Sequence, residues 1–407
     1  MVSNIIKICK DELKIIFTDA GCLLVMVGAI FMYSIFYTMP FSNQATRDVP
    51  IGIIDNDKSS MSREFVRDLG ATEYVKIENN FTNINEAEKE YYKNKIQAFI
   101  VIPKDFERDI KRGKPSYVST YTDSAFMIIY KQVATAVATL ATEFGAKIEV
   151  GTLMKKGVPK DTAIKLVMPF DFVQIPLYNP IGSYQNYIYP MVLILLLQQT
   201  MVIGACMIGS TLREKINGVR IREKDGSVKL YRLNSITPHT NNPVEIVLGK
   251  AFAYSGLYFI YAMLYFLIFP SFVVYDMTYN ILPMLLILIP YLLSCAFWGQ
   301  CLVYFLSKRE VSFFILVSSS VPLIFLPGFV WPKEAVPLFL NIVSKLIPFE
   351  PACDGLIKIN QMGANFSQVQ HDFWILVGLC LIYFVFACAA VKKMQSEATQ
   401  NFEDKNW

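Results

Sequence analysis

Six long apolar stretches divide this chain, and a block of shorter periods separates the first from the second. The stretches cover residues 21–39, 184–211, 250–275, 281–306, 311–330 and 373–391. A helix rises 1.5 Å per residue, so about 20 apolar residues cross the ~30 Å hydrocarbon core of a bilayer. The six stretches therefore predict a polytopic α-helical membrane protein with six transmembrane helices. The first, GCLLVMVGAIFMYSIFYTM, is long for a signal peptide and no small-x-small cleavage site follows it, so it reads as an uncleaved anchor.

Between residues 40 and 183 the period alternates between two and 3.6. VPIGIID, YVKIEN, QAFIVIP and SYVSTYTD read as strands. SSMSREFVRDLG reads as a helix ending at Gly70. NINEAEKEYYKNKI reads as another, capped by Asn83 or Asn85, and DFERDIKRG as a short one closed by Gly113. A long helix follows over residues 124–157. The pattern is an α/β domain with a helical stalk, inserted between the first and second membrane helices.

Composition agrees with the membrane reading. Of 407 residues 54% are hydrophobic and 18% charged, against about 25% charged in soluble domains. A net charge of +4 gives no reason to expect nucleic acid as a partner. The eight cysteines fall mostly in apolar runs without metal-ligand spacing, and the two histidines, His239 and His371, lie far apart. Basic residues fix the orientation. Lys7, Lys10 and Lys14 precede the first stretch, and seven Lys and Arg lie between Arg213 and Arg232. Lys308 and Arg309 follow the fourth stretch, and Lys392 and Lys393 the last. Positive-inside puts both termini in the cytoplasm and the α/β domain outside.

Within the stretches ionisable residues are nearly absent; Asp276, Glu310 and Asp372 sit at their ends. Ion-driven carriers use such groups midway through the membrane, so the energy for any transport enters from elsewhere. Milder polar features remain at Gln198, Gln199 and Thr200, at Gln300, and at Ser318, Ser319 and Ser320. They read either as hydrogen bonds between helices or as the weakly polar lining of a substrate path.

The stretch IGIIDNDKSS raises a chemical question, because a strand followed by D-x-D-x-S opens the aspartyl-phosphatase motif. That chemistry needs a further acidic pair, and none stands at a strand end in the domain. A calcium loop needs Gly at its sixth position and Glu at its twelfth; here those are Ser60 and Val66. The remaining reading is a turn in which Asp55 ends a strand and Asp57 or Ser59 caps the next helix. The sequons at Asn80 and Asn365 match a pattern that is frequent by chance.

Four blocks then resemble the membrane subunits of type 2 ABC transporters, in the exporter branch with a large extracytoplasmic domain. They are KDELKIIFTDAG, the domain's VPIGIIDNDKSSMSREFVRDL with AFIVIPKDFERDIKRGKPSYVSTYTD, the stretch REKDGSVKLYRLNSITPHTNNPVEIVLGK, and LPGFVWPKEAVPLFLNIVSKLIPFEPACDGLIKI. LYNPIGSYQNYIYP is similar as well. The resemblance implies a cytoplasmic interfacial helix over 1–20, a membrane helix over 21–39 and an extracytoplasmic domain over 40–183. Membrane helices two to six then fill 184–391, with a coupling loop at 212–249, a Pro-rich outer segment at 331–370 and a cytoplasmic tail at 392–407.

It further implies ATPase coupling through Arg222, Glu223, Lys224, Gly226, Ser227, Pro238, Glu245, Gly249 and Lys250, with Lys10, Glu12 and Asp19 of the interfacial helix adding contacts. No G-x-x-x-x-G-K-[ST] phosphate loop occurs in the chain, so ATP and Mg belong to a separate ABC ATPase. The implied partners are that ATPase, a second permease (identical or related), the lipid bilayer, and a periplasmic adaptor with an outer-membrane channel, in a bacterial inner membrane. Rival readings are a non-transporting scaffold or secretion-associated protein, and a membrane-anchored phosphohydrolase using Asp55 and Asp57.

Overall fold

A computed structural model describes residues 1–38, 47–170, 175, 177–178, 184–216, 221–222, 228–229, 239–268, 280–328 and 331–403. The chain divides into two compact units, one of residues 45–175 and one of residues 1–44 with 176–407.

In the first unit four strands, β1 (Val49–Asp55), β2 (Val75–Asn80), β3 (Ala98–Ile102) and β4 (Ser119–Thr122), form a sheet of order β2-β1-β3-β4. β1 runs parallel to β2 and β3, and β4 is antiparallel to β3. Side chains alternate across the sheet. Val49, Ile51 and Ile53 share one core with Ala98, Ile100 and Ile102. Ile54 and Phe99 join Phe81, Ala87 and Ile96 on the other face. A central parallel strand covered on both faces reads as an apolar run, which is why VPIGIID stands out in the sequence. The first core is closed by Phe65 and Leu69 of α4 (Ser60–Gly70), Phe106 of α6 (Phe106–Lys111), and Val133, Ala136, Leu140 and Phe144 of α7 (Met127–Lys155). Ala87 of α5 (Ile84–Tyr92) covers the second face. A short α8 (Lys160–Val167) follows.

The second unit is helical. α1 (Val2–Thr18) meets a helix that starts at Ala20, as α2 (Ala20–Leu23), and runs through a π turn (Leu24–Gly28) into α3 (Ala29–Thr38). The two directions differ by 86°. Then come α9 (Tyr184–Ile216), α10 (Pro243–Met263) with a π turn over Leu264–Ile268, α11 (Ile281–Phe305), α12 (Arg309–Ile324), α13 (Leu338–Ser344), α14 (Phe349–Met362) and α15 (Phe366–Glu403). A two-stranded ribbon, β5 (Ile221–Arg222) and β6 (Val228–Lys229), lies between α9 and α10.

Among the described residues, four helices are long and apolar enough to cross a membrane, or five when the bent pair counts as one span. The expected fifth crossing, residues 311–330, falls short of that length. Its helix, α12, has 16 residues, about 24 Å, and stops at Ile324 beyond Pro322, where Gly328 turns the chain with φ +85°. α9 is the central helix, with 89% of its most apolar stretch buried inside the unit against 17% for α15. The segment at 331–370 is largely helical. The Phe349, Cys353, Leu356 and Ile359 side chains of α14 join the same core as the spans.

Candidate functional site

α1 carries three faces, because its apolar positions recur at helical spacing over more than one stripe. Ile8, Glu12 and Ile16 are buried. Val2, Ile6 and Phe17 form an exposed apolar strip, and Lys7, Lys10 and Lys14 an exposed basic row. The buried face packs on α10. Gly249 makes the approach close: a Cβ there would stand 2.7 Å from Cβ of Ile8 and 3.1 Å from the carbonyl oxygen of Ile5.

Polar groups seal this seam. Glu12, 4% exposed, accepts hydrogen bonds from the Tyr254 hydroxyl and from Lys250 Nζ at 3.3 Å. Asn4 Nδ2 donates to Glu245 at 3.0 Å, and the amino terminus stands 3.7 Å from the same carboxylate. His239 Nε2 lies 2.7 Å from Asp11 Oδ2. Four residues expected at the ATPase contact, namely Glu12, Glu245, Gly249 and Lys250, thus meet within one chain. Further along α10, Tyr258 donates to Thr200 of α9 at 2.9 Å, and Tyr265 to the Ile30 carbonyl of α3 at 3.1 Å. One face of α10 therefore pins α1, α9 and α3.

Asp19 occupies the bend. Its Oδ1 accepts from the Cys22 N–H at 2.9 Å, capping α2, and both oxygens take the Arg309 guanidinium, at 2.7 and 2.5 Å. The Arg309 hydrogen bonds, opposed by partial burial and helped by the Cys22 amide, hold the carboxyl well below the usual carboxylate range. The Arg309 backbone N–H donates to Glu214 at 3.0 Å, so the bend, the end of α9 and the start of α12 are joined. Beside it Arg213 donates to the Val303 and Tyr304 carbonyls that α11 leaves unpaired at its end.

Lys10 is exposed on the basic row. Arg222 pairs with Val228 in the ribbon, while Glu223, Lys224, Gly226, Ser227 and Pro238 lie outside the described residues. Of the expected substrate-path residues, Gln199 Nε2 donates to Ser320 Oγ at 2.7 Å and to the Leu316 carbonyl at 3.1 Å, with Ser319 Oγ at 3.4 Å. These tie α9 to α12. Gln198 is buried against Cys295 of α11, and Thr200 faces Tyr258. Ser318 is exposed on α12. Gln199, Ser319 and Ser320 thus come together between α9 and α12, while Gln198 and Thr200 meet α11 and α10.

The D-x-D-x-S stretch is a turn whose carboxylates are engaged. Asp55 accepts from the N–H groups of Asp57 and Lys58, at 3.0 and 2.9 Å, and from Ser62 Oγ at 2.7 Å. Ser59 caps α4 through the Ser62 N–H. Asp57 accepts from the Glu107 N–H at the start of α6, at 3.0 Å.

Sequence reasoning overlooked Asn4 and Tyr254 as junction residues. The tyrosines at 254, 258, 261 and 265 recur at i, i+4, i+7 and i+11, a stripe that was visible and whose hydroxyls needed partners. The partner of Asp19 is not visible in the sequence, since Arg309 is separated from it by 290 positions.

Comparison with known proteins adds two findings. The family model described as ABC-2 family transporter protein matches residues 21–389. The linearmycin resistance permease protein LnrN of Bacillus subtilis (strain 168) is 27% identical over 113 residues, which is 28% of this chain and 29% of that protein.

Proposed function

The chain belongs to the ABC-2 transporter family, and from that membership we propose that it is the permease subunit of an ATP-driven exporter of amphipathic or drug-like molecules. A permease of this family has no catalytic activity of its own and works with an ABC ATPase subunit. The observation that carries the finer reading is the α1 junction. A helix with a basic row and an apolar strip, turned 86° from the next one, suits the membrane surface. It is locked to α10 by Glu12, Lys250 and Tyr254.

In this reading α1, the 212–249 loop and the last residues face the cytoplasm and the ATPase, and the α/β unit faces out. The helix that starts at Ala20 and the short α12 count as crossings beside the four long ones, which gives six. Two permeases assemble with two ATPases, and nucleotide binding shifts the population between two arrangements. The exposed side of α12, with Val311, Phe314, Val317 and Val321 around Ser318, is the candidate surface toward the second permease and the cargo. Resistance in the name of the bacterial relative supports export.

The test is purification from native membranes in mild detergent. A stoichiometric ATPase carrying a phosphate loop is expected, and reversing the charges of Glu223 and Lys224 releases it. A permease that arrives without an ATPase under gentle conditions would favour the scaffold reading. Labelling from outside intact cells of a cysteine introduced into the α/β unit, which has none of its own, checks the orientation independently.

A further inference from the structure

An open groove of about 420 Å³ runs between α11 and α15, and no residue of α1 or α10 lines it. Its walls come from Trp298 and Leu302 on one helix and from Phe386, Ala389 and Ala390 on the other. The volume falls within the range of small-molecule sites. The wall is almost wholly apolar until one end, where Tyr304 and Lys393 close it.

That end is cationic in a particular way. Arg213 and Lys393 both stand over the Tyr304 ring, at 5.0 and 4.8 Å from its centroid. Arg213 is committed elsewhere, to the Val303 carbonyl at 3.1 Å and to Glu397 at 3.7 Å. Glu397 also stands at this end, accepting from the Tyr304 hydroxyl at 3.4 Å, so two cations face one carboxylate there. Lys393 forms no ion pair among the described residues. An ammonium held over an aromatic ring at the mouth of an apolar slot, near the end of a membrane helix, matches one chemistry: an anionic headgroup continued by hydrocarbon.

We propose that this groove is a binding site for one anionic phospholipid per chain, the phosphate at Lys393 and an acyl chain between α11 and α15. A free phosphate would use the cation and leave the apolar wall wet. A zwitterionic lipid would bring its own cation toward Lys393 and Arg213. The site depends on the chain spanning a membrane and not on the direction of transport. The bland alternative is a lysine that only reaches for the interface.

The experiment uses the full chain, purified in mild detergent, with lipids identified by native mass spectrometry. Thermal stability is followed in nanodiscs of phosphatidylcholine with and without phosphatidylglycerol. Wild type should retain one anionic phospholipid and be stabilised by phosphatidylglycerol. Lys393→Glu should lose the retained lipid, with at least a ~5-fold drop in affinity. Ala390→Trp, which fills the slot and leaves the charge, should also lose it. Lys392→Glu makes the same charge change on a residue that does not line the groove, and should keep the lipid.

Retention by both Lys393→Glu and Ala390→Trp would overturn the proposal. So would equal loss from Lys392→Glu, which would mark a diffuse surface charge, or equal stabilisation by inorganic phosphate, which would mark an anion site alone. Unfolding of the variants in phosphatidylcholine alone separates a folding defect from lost binding. Cross-linking of Phe386→Cys between two copies would assign the groove to the permease interface and likewise overturn it.

Discussion

Gly249→Ala is the sharpest perturbation of the α1 junction. The added Cβ would stand 2.7 Å from two carbons of Ile8, Cβ and Cγ2, and 3.1 Å from the Ile5 carbonyl. Non-bonded carbons settle at ~3.5–4.0 Å. Ile8 Cβ is bonded directly to the α1 backbone, so no rotamer change relieves the clash. α1 must retreat by roughly 1 Å. That retreat stretches the 3.0 Å Asn4–Glu245 bond and the 3.3 Å Lys250–Glu12 contact beyond useful length. Overpacking of this kind costs about 1–3 kcal/mol. The measurements are thermal unfolding of the purified permease, hydrogen exchange over residues 2–18, and ATP hydrolysis by the reconstituted complex with its ATPase. Lower stability, faster exchange confined to α1 and a weakened response of the ATPase to the permease are expected. Gly256→Ala on the same helix is the control, since nothing lies within 4 Å of its Cβ, and helix propensity alone makes it neutral or stabilising. Unchanged α1 exchange in Gly249→Ala, alongside a silent Gly256→Ala, would refute the close seam and with it the route from α1 to α10.

Three further outcomes follow from the same geometry. Glu12→Ala leaves the Lys250 ammonium and Tyr254 hydroxyl without their acceptor and should cost roughly 3–5 kcal/mol, whereas the double change Glu12→Leu with Lys250→Met should recover most of it; thermal unfolding of the single and double variants decides. Because the Asp19 carboxyl is held below its unfolded value of ~3.9, its stabilisation is complete above about pH 4 and fades only as pH falls further. The stability gap between wild type and Asp19→Asn should therefore be flat from pH 7 to about pH 5 and close below pH 4. Ser59→Ala should cost about 1 kcal/mol through the lost α4 cap, read as earlier melting of the α/β unit in the full chain, with ATP hydrolysis by the complex unchanged.

The α/β unit was legible because its strands are short and alternate, so that Ile51, Ile53 and Ile54 sort to two faces by parity alone. The D-x-D-x-S turn was legible too, since Ser59 stands where an N-cap belongs. The helical unit was harder for a physical reason. Apolar composition marks which residues prefer lipid or core, and it does not mark where a helix begins. α10 starts at Pro243, behind an Asn242 cap, well before the apolar stretch that begins at residue 250. The resemblance places residues up to 249 in a coupling loop, and only partners distant in sequence make the part from Pro243 onward helix surface.

The same reasoning explains why the junction reads differently in sequence and in space. The resemblance implies that Glu12, Glu245 and Lys250 meet an ATPase outside the chain. In the folded unit each has a partner on the facing helix, so their charge is largely spent within the protein. The groups left to meet an ATPase from α1 are its exposed basic ones, Lys7, Lys10 and Lys14. A partner pressing on that row would act on α10 through the buried face opposite, and from α10 on α9 and α3 through Tyr258 and Tyr265. Charge reversal on the exposed row should then weaken ATPase binding, while Tyr258→Phe should leave binding intact and impair transport. If both variants lose the ATPase equally, contact and transmission are not separable, and α1 is part of the docking surface only.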